Sequence, residues 1–153
     1  NLESADCWAH QECFKLNSKK LPLKISGVPP DLFSEDGQLW GTPVYDWEYM
    51  KKEEFRWWIA RIRQNLLLFD VVRLDHFRGF SAYWEVPGKE KTAKKGRWVK
   101  TPGKAFFGEV RKVFPEMPFI AEDLGSLDQD VYDLVEEFNF PGMKVLQFAF
   151  GLF

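Results

Sequence analysis

Two segments of this 153-residue chain end apolar runs in clusters of charge. The first is Val71-Val72-Arg73-Leu74-Asp75-His76-Phe77-Arg78-Gly79-Phe80, and the second is Ile120-Ala121-Glu122-Asp123-Leu124-Gly125. Both read as short buried strands that finish in carboxylates. Side chains alternate along a strand, so Val71, Arg73 and Asp75 share one face. A permanent cation therefore stands beside a carboxylate, and a nearby guanidinium favours the ionised form. A structural ion pair obeys the same logic, so the first segment alone is ambiguous. The second segment shifts the balance, because it ends another strand one helical connection later. Asp123 points to the opposite strand face by alternation, which leaves Glu122 as the better partner. Two carboxylates in different environments suit glycoside chemistry. One attacks the anomeric carbon; the other protonates the leaving oxygen and later deprotonates the acceptor. Arg73 would keep Asp75 ionised for attack, whereas Glu122 has no adjacent cation in sequence and suits the acid.

Other chemistries lack parts. There is no Gly-rich phosphate loop and no Ser- or Cys-centred nucleophile motif with a spare His. Cys7, His10 and Cys13 form a Cys-x2-His-x2-Cys run, but zinc needs a fourth ligand and no partner pair exists elsewhere. No metal site is expected, and two cysteines make no disulfide framework, so reduced thiols are the plainer reading. His76 is one of two histidines. It is either a structural hydrogen-bonder or, at a strand end beside Asp75, a donor to a sugar hydroxyl.

Composition narrows the partners. Hydrophobic residues make up 45% and charged residues 29%, which is the balance of a folded globular chain. The net charge of −2 suggests neither nucleic acid nor an anionic membrane as partner. No apolar run approaches the ~20 residues that cross a bilayer. Asn1-Leu2-Glu3-Ser4 lacks the basic start and apolar core of a signal peptide, and the chain does not begin with Met, so a processed protein or a piece of a longer one is expected. Most of the 15 Phe, 7 Trp and 4 Tyr must be core, but flat rings also stack on the apolar faces of sugars.

The elements that must position these residues follow from pattern. Residues 21–47 read as a long ordered loop after a short strand, since Pro29, Pro30, Gly37, Gly41 and Pro43 exclude a regular helix or central strand. A helix is predicted over 48–69, with Phe55, Trp58, Ile59, Ile62, Leu66 and Phe69 on one face. A second loop runs from Tyr83 to Gly103. Its basic stretch, about 87–104, is a solvated surface by the usual behaviour of charge runs, or a lid over the site. A shorter helix spans 104–114 and a strand 118–124. Ser126-x-x-Gln129 is a capping box for a third helix, which Asn139-Phe140-Pro141-Gly142 stops. A strand is predicted over 143–150. Alternating strands and helices imply a parallel α/β sheet. A (β/α)₈ barrel takes ~250 residues, so the expected fold is the central portion of one, a single partial catalytic domain over 1–153.

Three motifs together resemble glycoside hydrolase family 77, the 4-α-glucanotransferases. They are Arg73-Leu74-Asp75-His76-Phe77-Arg78-Gly79-Phe80, Ile120-Ala121-Glu122-Asp123-Leu124-Gly125, and Gly27-Val28-Pro29-Pro30-Asp31-Leu32-Phe33-Ser34 continuing to Gly37-Gln38-Leu39-Trp40-Gly41. The resemblance runs from about Ser4 to Phe150; α-amylases share only the looser Arg-x-Asp and Glu pattern. It implies that Asp75 is the nucleophile and Glu122 the acid/base, and that Arg73 and His76 line the subsite of the reacting glucose. It makes 26–47, with Asp31, Phe33, Gln38 and Trp40, the substrate-binding loop. It implies glucan transfer among maltooligosaccharides without metal or organic cofactor, in a bacterial cytoplasm or a plastid stroma. The family's third catalytic Asp follows a His on a later strand, and no His follows His76 here. The chain therefore resembles the middle of a longer enzyme, expected to be inactive alone or to bind glucan weakly. Thr42 stands where the family is expected to carry a different small polar residue. An amylase-like hydrolase is the alternative. The sequence leaves the oligomeric state open.

Overall fold

The strands of this chain sort into two kinds of sheet, each in its own unit of the computed structural model, which describes residues 1–125 and 127–150 apart from the Phe148 side chain. In chain order the strands are β1 (Lys24–Val28), β2 (Gln38–Pro43), β3 (Val72–Leu74), β4 (Ala82–Pro87), β5 (Arg97–Lys100) and β6 (Phe119–Ala121). The helices are α1 (Ala5–Ala9), α2 (Trp47–Lys52), α3 (Arg56–Leu66), α4 (Gly103–Val113) and α5 (Gln129–Glu137). One unit comprises Asn1–Phe55 and Ala82–Pro102; the other comprises Arg56–Ser81 and the chain from Gly103.

The first unit is built on an antiparallel sheet of order β2-β1-β4-β5. This corrects both expected loops. Residues 24–43 form a hairpin, and its prolines sit where a ladder tolerates them: Pro29 and Pro30 lie just past β1, and Pro43 closes the edge strand β2. Gly27 is required where it stands, because a Cβ there would lie 2.4 Å from the Gln38 carbonyl oxygen. The Tyr83–Gly103 stretch contains β4 and β5, with Trp84 opposite Trp98 and Glu85 opposite Arg97. Cross-strand aromatic and charge pairs of this kind stabilise antiparallel sheets, and they outweigh the lysines that made the stretch read as a loop. The basic tip is tied down. Ala93 is fully buried, its N–H donates to the Asp36 carbonyl (3.0 Å), and Lys94 pairs with the Asp36 carboxylate (2.7 Å). Ile25, Val86 and Ala93 form a small core with Leu39 and Trp84.

The helix expected over 48–69 breaks into α2 and α3. Asp46 caps α2 by accepting from the Tyr49 N–H (3.0 Å). Glu54 and Phe55 then adopt left-handed conformations, φ +52° and +54°. Two consecutive non-glycine residues there are strained. The compensation is Phe55, which is buried and meets the Trp47 ring edge-on. Of the predicted stripe, Ile62 is buried, whereas Phe69 lies beyond α3 and is exposed.

The second unit holds the parallel pair. β3 and β6 align Val72 with Phe119 and Leu74 with Ala121. Around them packs an aromatic core: Phe77 stacks on Phe107, Phe80 on Phe106 and Phe138 on Phe140. Phe77, Phe106 and Phe107 are fully buried. Each such side chain contributes roughly 1.5–3 kcal/mol by burial, and each good ring pair about 0.5–1.5 kcal/mol more. The predicted capping box falls partly on Ser126, which lies outside the described residues; Asp128 is the residue at the N-cap of α5. The left-handed Asn139 (φ +53°) follows the helix end, where the stop was expected. The strand predicted over 143–150 is not formed. The segment is irregular and ends in a 3-10 turn at Leu146–Ala149. The Met143 N–H is taken by the Asp123 side chain rather than by a strand, so strand-like composition finds no ladder to join.

Candidate active site

β3 and β6 deliver the charged residues together. Leu74 and Ala121 are register partners, so Asp75 and Glu122 are the next residues on two neighbouring parallel strands. The ladder runs one step further: the Glu122 N–H donates to the Leu74 carbonyl (3.0 Å), and the Phe77 N–H donates to the Glu122 carbonyl (3.1 Å). Asp75 is exposed, and its Oδ1 receives the Arg73 Nη2 at 2.7 Å, as alternation along the strand requires. The Arg73 Nε points to the Met143 Sδ at 3.3 Å.

His76 turns the chain between the two carboxylates. It adopts a left-handed conformation, φ 47° and ψ 55°. A histidine at that angle is uncommon and strained. The conformation aims its backbone N–H at the Glu122 Oε2, 2.8 Å away. The ring is half-buried. Burial pushes the imidazole below its ordinary 6.5, against the opposing pull of Glu122 and then Asp75, with Arg78 adding to the lowering. A neutral ring both donates and accepts. Arg78 in turn bonds Asp128, at the start of α5, at 2.8 Å.

The other sequence-predicted residues belong to the first unit. The Asp31 Oδ1 accepts from the N–H groups of Phe33 and Ser34, both at 2.8 Å, which is an Asx turn. This turn leaves Leu32 and Phe33 fully exposed. Gln38 and Trp40 share one face of β2, and the Trp40 Nε1 donates to the Gln38 Oε1 at 3.2 Å. Thr42, the residue that departs from expectation, bonds the Ser26 hydroxyl at 2.5 Å.

No metal-binding cluster emerges. Among the described residues no group of three or more His, Cys, Asp or Glu is placed to hold an ion. Cys7 and Cys13 are free and buried, and burial raises both thiols, Cys13 to about 11, which makes them poor ligands and poor nucleophiles. No helix of the described residues is long and apolar enough to cross a membrane.

Comparison with known proteins shows which family the chain belongs to. The sequence profile of glycoside hydrolase family 77, described as 4-alpha-glucanotransferase, matches residues 1–152. The chain belongs to this family. A 4-alpha-glucanotransferase of Aquifex aeolicus is 58% identical over 150 residues, covering 98% of this chain and 31% of the relative. The chloroplastic/amyloplastic 4-alpha-glucanotransferase of Arabidopsis thaliana is 52% identical over 148 residues, covering 97% of this chain and 26% of the relative. Among solved structures, an amylomaltase from Streptococcus agalactiae in complex with acarbose superposes with a TM-score of 0.94 at 45% identity, covering 98% of this chain and 30% of that one. The chain thus spans about a third of the length of its glucanotransferase relatives. Their mixed α/β fold is shared over nearly all of it.

Of the candidates that sequence reasoning offered, the structure brings Asp75, Glu122, Arg73 and His76 together. That reasoning set Asp123 aside and did not single out Met143, which contacts Arg73, or Arg78, which contacts Asp128. The signal for Asp123 was its adjacency to Glu122; Met143 and Arg78 carried none.

Proposed function

We propose that the full-length protein is a 4-α-glucanotransferase of the retaining type, and that residues 1–153 form the central portion of its (β/α)₈ barrel. The observation that carries this reading is the in-register placement of Asp75 and Glu122 at the ends of β3 and β6. Neighbouring strands lie about 4.8 Å apart, which suits the ~5–5.5 Å carboxyl separation of retaining enzymes. Barrel enzymes place their chemistry at such strand ends.

In this reading the Asp75 carboxylate, oriented by Arg73, attacks the anomeric carbon of an α-1,4-linked glucan. Glu122 donates its proton to the departing 4-oxygen, so the bond breaks without expelling an alkoxide. The His76 backbone N–H occupies Oε2 of Glu122, which leaves Oε1 to carry that proton. A glucosyl ester on Asp75 results. Glu122, now a carboxylate, takes the proton from the 4-hydroxyl of an incoming sugar, whose oxygen displaces Asp75. Arg73 and His76 line the subsite of the reacting glucose. Asp31, Phe33, Gln38 and Trp40 form the substrate loop, where exposed aromatic rings offer stacking faces to sugars. Transfer rather than hydrolysis needs water excluded while the acceptor enters. The family's third carboxylate would come from outside residues 1–153.

Maltooligosaccharides are the proposed substrates, by extension from the Streptococcus relative complexed with acarbose. A bacterial cytoplasm or a plastid is the proposed setting, the latter from the Arabidopsis relative. The test is a product assay of the full-length enzyme on maltotriose. Glucose together with longer oligomers is expected. A net gain of reducing ends without longer products would establish a hydrolase instead. Asp75→Asn is expected to remove about 10³-fold or more of the rate; near-normal turnover would overturn the nucleophile assignment.

A further inference from the structure

The second carboxylate of the Glu122-Asp123 pair has no part in the chemistry above, yet it is closely engaged. The Asp123 Oδ1 accepts the Met143 backbone N–H at 2.7 Å. A Cβ on Gly142 would lie 2.3 Å from the Asp123 Oδ2, so the carboxylate sits directly over the 142–143 backbone. The same stretch is joined to β6 by the Ala121 N–H, which donates to the Pro141 carbonyl at 2.8 Å. Asp123 thereby locks residues 141–143 against the strand that ends in Glu122.

Met143 carries that lock across to the other strand. Its thioether sulfur accepts from the Arg73 Nε at 3.3 Å, while the Arg73 Nη2 bonds Asp75 at 2.7 Å. The guanidinium is planar and its donors point in fixed directions. Two anchors on two of its nitrogens therefore fix the plane, and with it the carboxylate it holds. One anchor would not suffice. The Arg73 side chain is nearly half exposed on a long flexible stem, and Asp75 is more exposed still. Exposed ion pairs of that kind hold geometry weakly.

We propose that Asp123 and Met143 are positioning residues for the transfer reaction, orienting Arg73 and through it the Asp75 nucleophile. This rests on the reading of Asp75 given above. Glu122 and its neighbour then divide the work: one carboxylate moves the proton, and the other sets the aim of the nucleophile on the adjacent strand.

The test measures kcat, KM for maltotriose and melting temperature of the full-length enzyme, with Asp75→Asn run alongside. Asp123→Ala is expected to lose about 10²-fold in kcat, the usual cost of a misaligned reacting group. KM should stay within about threefold, as for an interaction felt in the transition state. Asp123→Asn keeps an oxygen acceptor for the Met143 N–H and should restore kcat to within about threefold of the parent. Met143→Leu keeps the volume and removes the sulfur, and should cost about two- to fivefold in kcat, in line with a weak hydrogen bond. Wild-type kcat in both Asp123→Ala and Met143→Leu would overturn the proposal. So would equal losses in Asp123→Asn and Asp123→Ala, or losses that follow the folded fraction in the melts. If Asp123→Ala does not fold, Met143→Leu and Asp123→Asn decide. An inactive Asp75→Asn beside fully active Asp123→Ala and Met143→Leu removes the positioning role alone; an active Asp75→Asn removes the nucleophile reading beneath it.

Discussion

Glu85 on β4 is 1% exposed, and three side chains converge on its carboxylate. Arg97 bonds Oε1 through Nε (2.9 Å) and Nη2 (2.7 Å); the Lys15 Nζ bonds Oε2 at 3.1 Å and the Tyr83 hydroxyl reaches it at 3.2 Å. Asp75, just past β3 in the other unit, is 77% exposed and paired with Arg73 through one oxygen. Among the described residues, the Glu122 Oε2 accepts from the His76 backbone N–H. All three carboxylates sit in or beside strands and near cations or donors, so proximity to charge does not separate them. Saturation does. A carboxylate has about four lone-pair sites; Glu85 has both oxygens committed to side chains of its own unit, whereas among the described residues Asp75 is held through Oδ1 and Glu122 through Oε2. The first arrangement ties β4 and β5 to Lys15, and the second suits the chemistry proposed for Asp75 and Glu122.

The largest effect that would break this comparison is a swap of consequences between Glu122 and Glu85. Glu122→Gln in the full-length enzyme should lose about 10²–10⁴-fold in kcat, the usual range for a general acid, with little change in melting temperature. Glu85→Gln should leave the rate per folded molecule within about threefold, since the described partners of Glu85 are Lys15, Tyr83 and Arg97, all in its own unit. A large kcat loss in Glu85→Gln with unchanged melting would show that Glu85 is more than a tie within its unit.

Next in size is the stability of the first unit. Glu85→Ala removes charge-assisted bonds to Arg97 and Lys15 and should cost about 2 kcal/mol, read by denaturant titration of the full-length enzyme. A value near zero would mean that the cations find water as readily as they found Glu85.

The two units also differ in when acid reaches them. Burial alone would raise Glu85, but the bonds from Arg97 and then Lys15 outweigh it and hold the carboxyl below its ordinary 4.5. Burial holds His76 below its ordinary 6.5. Both groups bind fewer protons folded than unfolded, so both contribute stability above the unfolded value and lose it as pH falls. The His76 contribution should fade below about pH 6.5 and that of Glu85 only below about pH 4.5. Melting temperatures measured against pH for the parent, His76→Asn and Glu85→Gln check this. The parent-minus-variant difference should shrink first for His76. The same order reversed would contradict the burial assigned to the imidazole.

The smallest expected effect is at the basic tip. Lys94 pairs with Asp36 and Glu35, but all three side chains are well exposed, and such pairs contribute little. Lys94→Ala should leave the melting temperature unchanged, because the buried Ala93 and its hydrogen bond anchor the segment. A clear drop would move that ion pair into the class of Glu85.

Part of this was legible from residue order. Period-two alternation placed Arg73 and Asp75 on one face, and the ion pair at 2.7 Å follows. The same rule sent Asp123 away from Glu122, where it meets the 142–143 backbone. The hairpin over 24–43 was not legible, because Gly27 and the prolines weaken strand propensity, and the pairing that overrides them lies on β4. The break at Glu54–Phe55 was equally hidden. A helical stripe runs through it, and only the fit of the Phe55 ring against Trp47 favours two left-handed residues.

Residue order along the chain sets what is local. Alternation and strand ends single out Asp75, Glu122 and Arg73 as candidates, because side-chain period depends only on neighbours along the chain. Tertiary structure alone decided which carboxylate is saturated and which is open. Lys15 reaches Glu85 across 70 positions and Met143 reaches Arg73 across another 70. Partners so distant in sequence are set by the register of strands and the packing of cores, and no local pattern along the chain encodes them.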